Sequence, residues 1–132
     1  MVFQQWISTF PVRSVRYVFI IDETNMQRIA EIAEGCVREA ADDYVGLWQI
    51  ATRVRREFEP STNLQVKRLS LDVVRLIVRR GLCPGDYGKT GFSFWDLDNL
   101  GRIIARIDGE WNPMHGDPTL VNPICWFAPR PA

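Results

Sequence analysis

Apolar residues fall into four stretches with helical spacing, separated by segments rich in glycine and proline in which short extended runs appear. In the first stretch Met26, Ile29, Ala33, Cys36, Val37, Ala40 and Tyr44 recur along one face of an amphipathic helix, and Thr24 with Gln27 has capping-box spacing at its start. Gly35 inside that pattern costs on the order of 1 kcal/mol relative to alanine unless another backbone packs closely there. A second helix is expected after Asp42 or Asp43, either of which can cap it. Val45, Trp48, Ala51, Val54 and Phe58 form its stripe, Leu47 and Ile50 widen it, and Pro60 closes it. Trp48, lying in that stripe, reads as core.

The third stretch is the one the others are arranged around. Thr62 with Gln65 repeats the capping-box spacing, and Val66, Leu69, Val73, Leu76, Ile77 and Arg80 then share one side, flanked by Leu71 and Val74. Gly81 suits the left-handed backbone that ends a helix, and Leu82 beyond it can fold back on Ile77. The layout after Gly81 is a short strand, a turn and a second short strand: the glycines and proline of residues 82–91 mark a turn rather than a long strand, and Phe92 and Phe94 alternate about Ser93 as in a strand with one buried face. Asp96 can cap a fourth helix in which Leu97, Leu100, Ile104, Ile107 and Trp111 keep the period, and Asn112-Pro113 ends it. Residues 124–127 are a last apolar run whose expected partner is the strand at 92–95. Upstream, the β-branched and aromatic content of residues 13–21 favours extended structure, so residues 1–22 are an N-terminal extension or an added edge strand.

These elements predict a mainly α, α+β fold: four amphipathic helices with a small antiparallel sheet. Helix, glycine stop and two short strands make a winged-helix-like unit, and residues 23–132 are expected to form one compact domain. The 132-residue length fits a single core.

Charge changes the picture only locally. Lys plus Arg and Asp plus Glu both number 16, so no global field draws the chain to nucleic acid or an anionic membrane. Between Asp22 and Asp43 the first helix segment nevertheless carries Asp22, Glu23, Glu31, Glu34, Glu39, Asp42 and Asp43 against Arg28 and Arg38, while the central helix carries Lys67, Arg68, Arg75, Arg79 and Arg80 against Asp72. Two docking faces are therefore candidates: Arg68, Arg75 and Arg79 with Lys89 in the turn that follows, and Glu31 and Glu34 with Arg38. The plain alternatives are solvated faces, or opposite charges meeting within the monomer. Five tryptophans leave room for an exposed aromatic anchor, Trp6 or Trp111. Three widely spaced cysteines fit free thiols in a reducing compartment, and the reading is cytoplasmic. No apolar run approaches the roughly 20 residues needed to span a bilayer, and the best one, residues 17–21, is shorter than the roughly 7–15 residues of a signal h-region.

Reactive chemistry finds little support. His115 is the one histidine, in a Gly/Pro loop with no nucleophile elbow. Cys83, His115 and Cys125 lack the closely spaced ligand pair that makes zinc motifs specific. Capping and turn roles account for Asp86, Asp96, Asp98, Glu110 and Asp117, and residues 85–91 lack the order of a phosphate-binding loop. No catalytic residue, cofactor or metal is expected, and the chain reads as a non-enzyme. A protein-interaction or regulatory module with a protein partner is the leading expectation. The alternative is a winged-helix DNA-binding regulator, with Arg68, Arg75 and Arg79 in the major groove and Lys89 on a phosphate. Asp72, one turn from both Arg68 and Arg75, weighs against it, as does the shortage of Asn, Gln and Ser for base edges.

The run from Asp43 to Ile50, residues 73–85, Gly91 with residues 92–95, Trp111, Asp117-Pro118 and residues 124–127 together resemble a set of small uncharacterised bacterial proteins. The likeness spans residues 24–127. Its motifs are aromatic, glycine and apolar positions, so the resemblance implies a fold and transfers no functional residue.

Overall fold

A computed structural model of the chain describes residues 23–59 and 61–131. Its elements run α1 (Glu23–Ala40), β1 (Val45–Gly46), α2 (Leu47–Glu57), α3 (Asn63–Arg79), β2 (Leu82–Gly88), β3 (Gly91–Phe94), α4 (Leu100–Trp111) and β4 (Trp126–Pro129). This is the mainly α, α+β architecture that the periodicity predicts. α3 packs against α1, α2, α4 and β2, and Val66, Leu69, Val73, Val74 and Ile77 along it are wholly buried. Each such side chain contributes about 1.5–3 kcal/mol relative to leaving it in water.

The start and stop of α3 follow from its sequence. Thr62 Oγ1 accepts from the Gln65 N–H at 3.1 Å and Gln65 Oε1 accepts from the Thr62 N–H at 2.9 Å, satisfying two donors that the helix cannot. Gly81 takes φ +99°, and Leu82 is buried in the same core as Ile77.

The other helix starts differ from expectation. α1 begins at Glu23, so Thr24 lies within its first turn. α2 begins at Leu47 and not after Asp42 or Asp43, because Val45 and Gly46 pair with Phe127 and Trp126. The Gly46 N–H then donates to Gln49 Oε1 at 2.7 Å, and the Asp43 carboxylate accepts from the Tyr44 N–H at 2.7 Å. Asp96 does not cap α4. Asn99 does, its Oδ1 accepting from the Arg102 N–H at 3.1 Å. At Gly35 the nearest atom to an added Cβ belongs to the Arg53 guanidinium at 3.7 Å, so no close backbone explains that glycine.

The sheet departs furthest. Its strands are antiparallel in the order β1-β4-β2-β3. The final strand therefore does not pair with residues 92–95: β2 lies between them, with Gly85 opposite Trp126 on one side and Phe94 on the other. The stretch at 82–91, in which a short strand and a turn are expected, is mostly the seven-residue strand β2. Pro84 fits because its carbonyl accepts from the Trp95 N–H at 3.0 Å, just past the end of β3, and the return bond is the one a proline cannot donate.

Alternation then sorts the side chains. Val45, Leu82, Pro84 and Phe127 are buried on the inner face, while Gly46, Gly85, Tyr87, Phe92, Phe94 and Trp126 share the outer face. Phe92 and Phe94 thus do not point into the core, and Phe94 is 37% exposed. Trp95 is buried, with the Arg106 guanidinium 3.7 Å from its ring centroid. Trp48 is only half-buried, and the core face of α2 belongs to Leu47, Ile50, Ala51 and Val54. Trp111 is no exposed anchor: it is buried, and its Nε1 donates to the Gly116 carbonyl at 3.1 Å. Trp6 and the extension or edge strand at residues 1–22 lie outside the described residues. No helix among the described residues is long and apolar enough to cross a membrane.

Candidate functional site

On α3 the positions 68, 72, 75 and 79 lie three or four apart, so Arg68, Asp72, Arg75 and Arg79 form one stripe. Arg75 donates to the Asp72 carboxylate at 2.8 Å, whereas Arg68 and Arg79 are exposed and form no ion pair among the described residues. Beside this stripe a groove of about 310 Å³ opens between α1 and α3, lined by Met26, Ile29, Asp72, Arg75, Leu76 and Arg79. Met26 is 60% exposed at its mouth. Partial burial raises the Asp72 carboxyl above its usual range, opposed by the Arg75 charge and hydrogen bond.

Not all of the basic surface is available. Lys67 faces α4, where it pairs with Asp108 at 2.7 Å. Arg80, expected on the apolar side of the helix, is exposed and pairs with Glu34 of α1 at 2.6 Å. The Arg80 hydrogen bond and charge lower the Glu34 pKa, and the same contact raises that of Arg80. The acidic and basic helices therefore do meet within the monomer at this point. Glu31 and Arg38 stay exposed on α1 with no ion pair among the described residues. Lys89 is exposed in the β2–β3 turn and is not among the groove residues. Arg75 and Arg79 are thus brought together at one apolar groove, Arg68 extends the stripe, and Lys89 stands on another element.

The residues missed in the sequence lie on the sheet. Tyr44, immediately before β1, stacks on Phe92 with ring centroids 4.8 Å apart and planes at 7°, and touches Tyr87 at 4.9 Å. Tyr87 meets Trp126 at 6.0 Å, and Phe92 meets Phe94 edge-on at 4.8 Å. Gly85 makes this layer possible, since a Cβ there would sit 2.6 Å from the Phe92 ring and 2.5 Å from the Ser93 carbonyl oxygen. The alternation of Gly85 with Tyr87 and of Phe92 with Phe94 was the available signal, obscured by reading Gly85 as a turn residue. At the Phe94 end lies a cleft of about 440 Å³ bordered by Cys83, Trp95, Asp96, Asp98, Arg102 and Arg130.

His115 is exposed, Cys125 is buried and Cys83 is half-buried, and no group of three or more His, Cys, Asp or Glu side chains among the described residues is placed to hold a metal ion. Burial pushes the Cys36 thiol up to about 11 and the Cys125 thiol well above its usual range. No protein-family model matches this chain, and neither a curated protein nor a solved structure matches it.

Proposed function

We propose that this chain is a non-catalytic protein-interaction module whose docking site is the α1–α3 groove. One observation carries the reading: Met26, Ile29 and Leu76 offer apolar lining directly beside the guanidinium of Arg79, which has no ion-pair partner among the described residues. Such a surface suits an acidic protein segment with an aliphatic or aromatic anchor. The anchor enters the groove while carboxylates meet Arg79 and Arg68. A cytoplasmic setting belongs to the same reading, supported by the free state of Cys36, Cys83 and Cys125.

The test is a fluorescence-anisotropy titration of the full chain with a labelled acidic amphipathic peptide. Arg79→Glu should weaken binding by about tenfold and flatten its salt dependence. Met26→Ser should weaken it at all salt concentrations. Equal affinity in all three proteins would remove the groove from consideration.

A second reading, a winged-helix DNA-binding regulator, is favoured by one observation: the arginine stripe of α3 runs into the β2–β3 hairpin with Lys89 in its turn. Against it, the Asp72 carboxylate already holds Arg75. Salt-sensitive binding of random duplex DNA, lost in an Arg75→Ala, Arg79→Ala variant, would establish this reading over the first.

A further inference from the structure

We propose that the outer face of the sheet is a second, separate binding site, which takes an extended protein segment carrying arginine or lysine side chains laid along the β3 edge. β3 ends the strand order, so among the described residues one of its edges has no partner strand, and an incoming extended segment can hydrogen-bond to it. Every second side chain of such a segment would emerge on the outer face beside Phe92 and Phe94, from where a long side chain reaches toward Tyr87 on β2, which is 54% exposed.

Charge decides what those side chains are. Asp42 and Asp43 precede Tyr44, and Asp96 and Asp98 follow Phe94 and Trp95; all four are exposed and none is in an ion pair among the described residues. The cations nearby in the chain are Arg38, four residues before Asp42, Lys89 in the turn and, at the cleft, Arg102 and Arg130. Two carboxylates face one cation at the Asp42–Asp43 end, so cationic side chains of a partner are best placed over the Tyr44 and Tyr87 rings, beside Asp42 and Asp43 and away from Arg102 and Arg130. The fold itself uses this chemistry twice, with Arg106 at 3.7 Å from the Trp95 ring and Arg28 at 4.5 Å from that of Phe58. Among the described residues no arginine or lysine is so placed over the rings of the outer face.

This site shares no residue with the α1–α3 groove and prefers the opposite charge, so the two proposals stand or fall separately. The probe is a labelled peptide of alternating arginine and valine, with a glutamate-for-arginine peptide as control, titrated into the full chain by fluorescence anisotropy. The arginine peptide should bind and the glutamate peptide should not. Tyr87→Ala, at an exposed position and checked for folding by circular dichroism, should weaken binding by roughly tenfold. Asp42→Asn with Asp43→Asn should weaken it and reduce its sensitivity to salt. The proposal is overturned by no binding, by equal binding of both peptides, or by an affinity unchanged in Tyr87→Ala. It is also overturned by a concentration-dependent dimer that Tyr87→Ala abolishes, which would assign the face to a second copy of the chain.

Discussion

Arg55 of α2 and Asp117 of the loop after α4 form a two-pronged pair, with Nε to Oδ2 at 2.7 Å and Nη2 to Oδ1 at 3.0 Å. The same guanidinium donates to Asn63 Oδ1 at 2.8 Å and to the Ser61 carbonyl at 3.4 Å. One side chain thus ties α2, the α2–α3 connection and the C-terminal loop together. The Asp117 hydrogen bond also raises the Arg55 pKa. Asp117→Ala is expected to lower stability by about 1–2 kcal/mol, a figure discounted for the partial exposure of Arg55. Arg55→Lys with Asp117 in place should also be destabilising, because an ammonium cannot make the planar pair. Urea denaturation of the single and double variants gives the coupling directly.

Two carboxylates should respond to pH with opposite signs. Glu34 titrates below its usual range in the folded state, so its contribution is present above the ordinary glutamate range and lost as pH falls through the lowered value. Glu34→Gln should therefore be less stable than the parent near neutral pH, with the gap closing in acid. Asp72 is raised, chiefly by burial, so its favourable contribution is present in acid and lost as pH rises through the folded value. Asp72→Asn should gain stability near neutral pH and lose that gain in acid. Thermal melts of the three proteins between acid and neutral pH check both signs.

Glycines should differ by their surroundings. At Gly85 an added Cβ meets the Ser93 carbonyl oxygen at 2.5 Å and the Phe92 ring at 2.6 Å, so Gly85→Ala must displace backbone or collapse the aromatic layer. An overpacking loss of about 1–3 kcal/mol is expected. Gly81 has open space around it but φ +99°, so Gly81→Ala meets only backbone strain, about 1 kcal/mol. Chemical denaturation should rank Gly85→Ala as the more damaging.

Thiol reactivity should be uneven. Cys36 and Cys125 are buried and their thiols are raised by that burial, so they hold few thiolates at mildly alkaline pH. Cys83 is half-buried at the edge of the 440 Å³ cleft. A thiol reagent on the native protein should modify Cys83 first, and Cys83→Ser should abolish the fast phase. Denaturant should release the remaining two.

The periodic stretches were legible because burial along a helix is set by neighbours three and four residues away. Thr62, Gln65 and Gly81 act locally, and the structure has them where the sequence indicated. Asp43 and Asp96 failed as caps for a reason outside their own neighbourhoods. Val45 and Gly46 are taken by β4, which leaves α2 to begin at Leu47, and the turn before α4 runs on to Asn99. The groove residues Arg75 and Arg79 were readable as one helix face. Their neighbours Met26 and Ile29 were not, since only the packing of α1 on α3 brings them there.

By itself the amino-acid order determined that four amphipathic helices form, that α3 is capped and stopped where it is, and that opposite charges lie on α1 and α3. Those are properties of short-range spacing and backbone preference. Only the tertiary structure decided that the strand after Gly81 runs the full length of residues 82–88, that β2 lies between β3 and β4, and that Tyr44, Tyr87, Phe92 and Trp126 share a surface. Strand partners are chosen across long loops by which face can be buried, and a one-residue change of register exchanges the two faces.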